Sequence, residues 1–436
     1  MRKAIWLCAL AVVCAPHPAL ADEHEGMRSS GALTDSLALL STLDLPTLER
    51  WVVRRNADAE AARQAYKAAL EVPGTTGWED PMLDFTVGPS SFGSDQFGTA
   101  HRIGVRQAIP LGKLGSPKDV ALRDAAASAA DLDATLNDLL RTARVTYAEY
   151  ARALASAVVL NEMKQVVEQV RRVALSRYAS GLVGEADALM AETELSMIEH
   201  QAIESDNDVG RATARLNALL HRSWDASLPL PPPRFDPPDK VPELRALIEQ
   251  AWVERPEILA AAWRYRADEA RVRIAQSAKI PRLEFMAAYD RFWQETELRP
   301  SVGVAVSVPI FAGRRSAAEG EAQAGLLAAR ARQVSVTDRV AFEVQSAYLD
   351  VQQSAHEAQL VRESQLPVAQ RALGAARAGY ESGRNDFTAL LQAERGLTEA
   401  RLTEIRVLGE YHAARAELAW AVGKLPPWIG VGGTTP

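Results

Sequence analysis

Few side chains in this 436-residue sequence are spaced to do covalent chemistry. His24, His101, His200, His221, His356 and His412 are scattered, with no His-x-x-x-His pair and no Ser/His/Asp motif that can be placed. The pattern Gly-x-x-x-x-Gly-Lys-Ser/Thr is missing, so no ATP site of that kind is written into the chain. Cys8 and Cys14 both lie near the N-terminus, and no thiol catalysis or cysteine-ligated metal is expected beyond them. Asp22-Glu23-His24-Glu25-Gly26-Met27 could touch a metal ion, but a loose acidic tail accounts for it more simply. The reading is therefore of a chain that is not an enzyme, with no catalytic, cofactor or metal residues. What remains is charge at special positions. Asp187 and Asp386 each follow a Tyr-x-x-Gly signature by a few residues, where a short acid can start a helix.

The elements that must position these acids occur twice. Pro81-Met82-Leu83-Asp84-Phe85 returns as Pro281-Arg282-Leu283-Glu284-Phe285, and Arg55-Asn56-Ala57 as Arg255-Pro256-Glu257. Ile109-Pro110-Leu111 is echoed by Val308-Pro309-Ile310. Tyr178-Ala179-Ser180-Gly181 returns as Tyr380-Glu381-Ser382-Gly383, and Glu192 and Glu394 each follow the glycine by eleven residues. The spacings of 200, 200, 199 and 202 residues are far longer than a solenoid unit. They point to one structural half copied to make a pseudo-symmetric wall.

Composition narrows the class. Arg2 and Lys3 precede an apolar run from Ala4 to Ala15, and Ala19-Leu20-Ala21 fits a cleavage site, so residues 1–21 read as a signal peptide cut after Ala21. The run is shorter than the roughly 20 apolar residues of a spanning helix. Val13 before Cys14 and Leu7 before Cys8 do not fit a lipid-bearing cysteine, so the mature chain is expected to be exported, unlipidated and free of disulfides. A net charge of -7 with no basic block argues against nucleic acid. Aromatics make up only 6%, while alanine and arginine abound, which favours long helices with narrow apolar stripes.

Each copy then reads as helix, strand pair and helical hairpin. Leu45 to Leu70 and Val241 to Ala278 carry apolar residues three and four apart, interrupted at Asn56 and Pro256. Strands are expected over Leu83 to Val87, Arg102 to Ile109, Leu283 to Tyr289 and Ser301 to Val308. In the last, Val302, Val304, Val306 and Val308 point one way and Ser301, Gly303, Ala305 and Ser307 the other. That alternation suits a membrane barrel, or else a sheet on a soluble core, and Phe92, Phe97, Phe292 and Trp293 fall at strand ends as interfacial aromatics would. Turns at Pro110 and Pro309 lead into long regions with narrow stripes, Leu139-Ala143-Tyr147-Tyr150-Leu154 and Val340-Val344-Ala347-Tyr348-Val351-Ala355. Gly181 and Gly383 mark the hairpin tips, with arms of roughly 50 to 60 residues, about 75 to 90 Å.

The resulting division has a flexible segment over 22–44 and a first repeat over 45–228, with strand pair 83–109 and tip near 178–187. A stiff proline-rich linker covers 229–240. The second repeat covers 241–425, with strand pair 283–309 and tip near 380–387, and 426–436 is a loose tail. Four strands cannot close a membrane barrel, so several copies are needed, and three would give twelve strands and six hairpins.

In order and duplication these elements resemble the TolC-like outer-membrane efflux and secretion channels, over roughly residues 45 to 424. Leu390-Leu391-Gln392-Ala393-Glu394-Arg395 and Leu366-Pro367-Val368-Ala369 are especially similar. The resemblance implies a mainly α protein with a β-barrel part: a homotrimer whose hairpins form a periplasmic α-barrel and whose strands form a 12-stranded barrel in outer-membrane lipid. It also implies docking to a periplasmic adaptor (membrane fusion) protein and a proton-driven inner-membrane pump. Some members place a constricting aspartate nine residues after the tip glycine, where this chain has Gln392. A pore gate would then draw on Asp187, Asp386 and Glu394, although these acids also fit helix starts and interhelical partners. The chain looks somewhat closer to the subgroup paired with heavy-metal cation pumps than to drug-efflux members, while efflux of drugs and type I protein secretion stay open. A non-channel periplasmic coiled-coil scaffold would explain the helices but not the strands.

Overall fold

The duplicated sequence folds around duplicated cores. The computed structural model describes residues 42–76, 79–87, 101–109, 116–181, 184–232, 238, 241–291, 296, 299–382, 384 and 386–426. Ala21, Pro110, Gly383 and the four strand-end aromatics lie outside the described residues. The first repeat holds α1 (Leu45–Arg55), α2 (Ala57–Thr75), β1 (Met82–Val87), β2 (His101–Ile109), α3 (Pro117–Ala179) and α4 (Glu185–Leu219). The second holds α5 (Leu244–Glu254), α6 (Pro256–Ser277), β3 (Arg282–Asp290), β4 (Pro300–Ser307), α7 (Ala312–Leu360), α8 (Leu366–Glu381) and α9 (Phe387–Val422), with one π turn, Val361–Gln365, between α7 and α8.

Core residues match pair by pair. Leu48, Val52 and Ala59 have counterparts 199 residues on in Leu247, Ala251 and Ile258. Leu139, Ala143 and Tyr150 of α3 match Val340, Val344 and Val351 of α7 at a spacing of 201. Leu216 and Leu220 match Leu418 and Val422 at 202. Each large aliphatic buried here contributes about 1.5 to 3 kcal/mol. Leu43 is fully buried in the first cluster, so this core begins inside the segment expected to be flexible.

The helix breaks do not sit where the sequence alignment puts them. Asn56, not Arg55, is the counterpart of Arg255: both are N-caps with φ -68°. Asn56 accepts through Oδ1 from the amides of Asp58 (2.8 Å) and Ala59 (3.3 Å), and its Nδ2 donates to the Leu219 carbonyl at 3.2 Å. Arg255 lacks an acceptor, and Pro256 in the first turn removes one amide that would need it. Its guanidinium, 2% exposed, instead reaches Glu257 at 2.8 Å and Glu343 at 2.9 Å, donates to the Trp420 carbonyl, and lies 3.9 Å from the Trp420 ring.

These junctions set helix ends against one another. Asn56 starts α2 where α4 stops, and Gly423 after α9 abuts the backbone of Arg255, where α6 starts. The return arms are accordingly shorter than the 50 to 60 residues expected. α3 has 63 residues but α4 only 35, and α9 has 36. α2 and α6 supply the missing wall beside the upper part of α3, and α6 also lies beside α7.

The π turn accounts for one irregularity in the repeat. The two copies are 201 residues apart at Tyr150 and Val351 but 202 apart at Tyr178 and Tyr380. The extra residue falls in the stretch that holds Val361–Gln365, two residues before Pro367. A π turn absorbs one added residue without breaking the helix, and the proline there has no amide to offer the ladder. Below it, Ala174 and Ala376 are again both buried.

The strands form one antiparallel sheet in the order β1-β2-β3-β4. Leu83 faces Val105, Phe85 faces Ile103, Val105 faces Ala287, and Val304 faces Phe285. β2 and β3 therefore join the two repeats, and β1 and β4 are left as edges.

Two glycines should respond oppositely to alanine. At Gly423 φ is +82° and a Cβ would lie 2.8 Å from the Arg255 Cα, so Gly423→Ala should lower the unfolding midpoint by the equivalent of about 2 kcal/mol or more. Gly374 lies in α8 with open space around it, and Gly374→Ala should raise stability by about 0.5 to 1 kcal/mol. Denaturant titration of the two variants checks the sign of each.

Burial pushes the Asp133 carboxyl on α3 up to about 6 from 3.8, and its Oδ1 has no hydrogen-bond partner. A carboxyl raised by folding stabilises the fold fully below its unfolded pKa and loses that contribution as pH rises through the folded value. Asp133→Asn should therefore raise the melting temperature at about pH 8 and leave it nearly unchanged at about pH 4. Melting curves at the two pH values test this; an equal effect at both would contradict it.

Candidate functional site

Period-two alternation gives the sheet two unlike faces. On one lie Leu83, Phe85, Ile103, Val105, Leu283, Phe285, Tyr289, Val302, Val304 and Val306, as the pairing register requires. Most of these are exposed, Val302 by 89% and Leu83 by 79%, so an apolar surface stands open across all four strands. The other face carries Asp84, Arg102, Arg106, Glu284 and Asp290 among small residues such as Gly104, Ala288, Gly303 and Ala305. Arg106 Nη2 donates to Asp84 Oδ2 at 3.0 Å there. Such a sheet suits hydrocarbon on one side and water on the other. No described helix is long and apolar enough to cross a membrane.

Strand-to-helix turns lead from the sheet to the long helices. Pro309 lies between β4 and α7, where Ile310 and Ala312 donate to the Val308 and Ile310 carbonyls at 3.0 and 3.2 Å. Ser116 caps α3, accepting from the Asp119 amide at 3.1 Å, with Pro117 in the first turn.

At the far end, α3 turns into α4 through Gly181, whose φ is +69°. Asp187 is half-buried in the first turn of α4, and its side chain has no partner among the described residues. Asp386 is the exposed N-cap of α9, accepting from the Ala389 amide at 2.9 Å. Glu394, 7% exposed, accepts from Arg377 Nη2 at 3.2 Å across the second hairpin. The three acids thus hold different stations: one unpartnered, one capping, one in an internal ion pair.

Other residues, not singled out by sequence, join the two tips. Phe387 packs with Leu391 against Ala174 and Ala191 of the first hairpin, edge-on to Tyr380 at 6.2 Å. Arg177 Nη1 donates to the Tyr380 hydroxyl at 2.6 Å and lies 4.7 Å from its ring. Arg395 donates to the buried Glu194 from Nε at 3.2 Å and also from Nη2. Tyr380 is visible in the repeat signature, but charges every few residues along both helices hide which arginine meets which acid.

Nearer the sheet, ion pairs stitch α3 to α6: Arg264 to Asp131 at 2.5 Å, Arg271 to Asp124 at 2.5 Å and Arg273 to Asp119 at 3.0 Å. Among the described residues no group of three His, Cys, Asp or Glu is placed to hold a metal ion.

Comparison with known proteins places this geometry. Residues 247–424 match the family described as outer membrane efflux protein. The cobalt-zinc-cadmium resistance protein CzcC of Cupriavidus metallidurans is 24% identical over 316 residues, 65% of this chain and 74% of that protein. Outer membrane protein OprJ of Pseudomonas aeruginosa is 25% identical over 371 residues, 78% of this chain and 74% of that one. Among solved structures, the outer membrane protein VceC of Vibrio cholerae has a TM-score of 0.72 at 19% identity, covering 87% of this chain and 96% of that one. CusC has a TM-score of 0.72 at 16% identity, covering 90% and 95%. With an apolar-walled sheet and paired helical hairpins the chain shares the fold of these solved structures, and its second repeat matches the outer membrane efflux protein family.

Proposed function

We propose that three copies of this chain close into a twelve-stranded barrel in the outer membrane, continued into the periplasm by a tube of six helical hairpins. The single observation that carries this reading is the four-stranded sheet with one apolar face and, among the described residues, both edges unpaired. Membrane barrels have no edges and need about eight strands or more, so closure calls for other copies. The duct is passive. Energy comes from a proton-driven inner-membrane pump, linked to the tube by a periplasmic adaptor protein.

Divalent heavy-metal cations are the substrate class this reading favours. Its support is the similarity to CzcC, named for cobalt, zinc and cadmium resistance, over most of both chains. Disruption of the gene should sensitise the host to those ions several-fold, and the intact gene should restore growth. Unchanged metal tolerance together with new sensitivity to organic toxicants would move the substrate to the drug class.

The closed end lies at the hairpin tips. Three copies of Asp187 and Asp386 around a narrow axis would form rings of like charge that favour cations and hold the aperture through hydrogen bonds. Glu394, buried against Arg377, serves this gate by bracing the second hairpin. Asn caps a helix as well as Asp does, so Asp386→Asn removes charge while sparing the cap. In planar bilayers, Asp187→Asn with Asp386→Asn should raise the leak conductance of the closed trimer and lower its cation preference. A closed state identical to wild type would refute the gate assignment.

A further inference from the structure

The contact between the two repeats inside one chain also describes a contact the chain has not made. Within the chain, α3 of the first repeat is covered by α6 and α9 of the second. Arg141 of α3 meets Glu417 of α9 at 3.3 Å and lies 4.6 Å from the Trp420 ring. Asn137 donates to the Trp420 carbonyl at 3.0 Å, and Trp420 Nε1 donates to Asp138 at 2.6 Å. Moved on by one repeat, this seam becomes α7 against a second α2 and α4. Among the described residues no other element covers the corresponding surface of α7.

Spacings within the cores identify the counterparts. Arg141 corresponds to Phe342 at 201 residues, and Glu417 and Trp420 correspond to Arg215 and Ala218 at 202. α3 and α7 are both unbroken from their starts through these positions, so the spacing cannot drift between them. Phe342 is 70% exposed, a large ring left open among the described residues. Ala214, Arg215 and Ala218, with Glu149, Arg152 and Arg211, line a groove of about 550 Å³ on the first hairpin. The bulk has changed sides. Inside the chain a tryptophan on α9 fills the seam, whereas at the repeated position α4 offers alanine and α7 offers phenylalanine.

The upper part of the seam changes in the same sense. Asp124 and Asp131 become Gly325 and Arg332, while Arg264 and Arg271 become Ala65 and Val72, so both charge pairs are lost. Ala260 and Ala267 of α6 are buried to 1% and 0%, yet their counterparts Ala61 and Ala68 on α2 are exposed. The upper part of the repeated seam therefore carries small side chains and the single charge of Arg332 where the internal one holds paired charges.

We propose that copies of this chain join through α7 of one copy and α2 and α4 of the next, with Phe342 seated in the groove beside Arg215 and Ala218. Arg215 then lies against the ring face, a cation-π contact in place of the internal ion pair. This surface rests on the trimeric reading above.

Engineered cysteines test it, since the sequence has only Cys8 and Cys14. Full-length Phe342→Cys and Ala218→Cys chains, distinguishable by a tag and made together in one cell, should form a disulfide between unlike copies on mild oxidation. Chains carrying both changes should give a covalent ladder ending at three. Phe342→Cys with Leu189→Cys, near the tip, should give none. Independently, Phe342→Arg should reduce the trimer fraction in detergent at least about tenfold with unchanged helical circular dichroism. Absence of the unlike-copy link in a protein that is still trimeric by native mass overturns this surface and leaves the trimer standing. A wild-type protein that never exceeds one copy overturns both.

Discussion

A helix of 63 residues has to be covered along its whole length, and no single partner in this chain is long enough to do it. α3 is covered in stages: α4 and α9 toward the tip, α2 and α6 toward the sheet. The arrangement depends on two junctions where one helix stops and another starts in its shadow. Asn56 makes the first by capping α2 while holding the last carbonyl of α4. Arg255 makes the second, its buried charge met by Glu257 and Glu343 and its flat face by Trp420, beside the one glycine that can let the backbone past. Without these joints the return arms would have to run the full length, and the sheet would have no short helices from which to hang.

Much of this was legible from residues alone, for definite reasons. The strands announce themselves because a period of two, as in Val302-Val304-Val306, cannot be confused with a helix. The tips do so because a glycine stands at the same point of the sequence in both copies, and Gly181 takes the left-handed conformation there. The junctions were misjudged because nothing local marks them. Asn56 reads as an ordinary cap, and its reach to Leu219, 163 residues away, exists only in the fold. Aligning it with Pro256 was natural, since proline is the more obvious helix breaker, but it is the residue before the proline that takes the cap conformation.

The acids near the tips show a different limit. Type and position singled out Asp187, Asp386 and Glu394 together, yet the fold gives them separate surroundings. The buried acid that bridges the two hairpins is Glu194, two residues from the glutamate that marks the repeat. In an alanine-rich helix with a charge on every turn, pairing is decided by which helix lies alongside, and that information is not local. The change in repeat spacing from 201 to 202, by contrast, was present in the sequence, and the π turn gives it a physical form.

The two open edges of the sheet impose an order on the life of the chain. A single copy leaves the amides and carbonyls of β1 and β4 unpaired beside a surface of valine, leucine and phenylalanine, the combination that draws strands into aggregates. The helices carry less of this hazard, since their backbone bonds are made within each helix, although apolar side chains such as Phe342 and Leu327 stay exposed on them. On the trimeric reading, a copy can thus fold its long hairpins in water at leisure but must keep its four strands from other edges until they reach lipid and their proper neighbours. Maturation has a protected half and a perishable half, and the perishable one is what transit to the membrane has to shield.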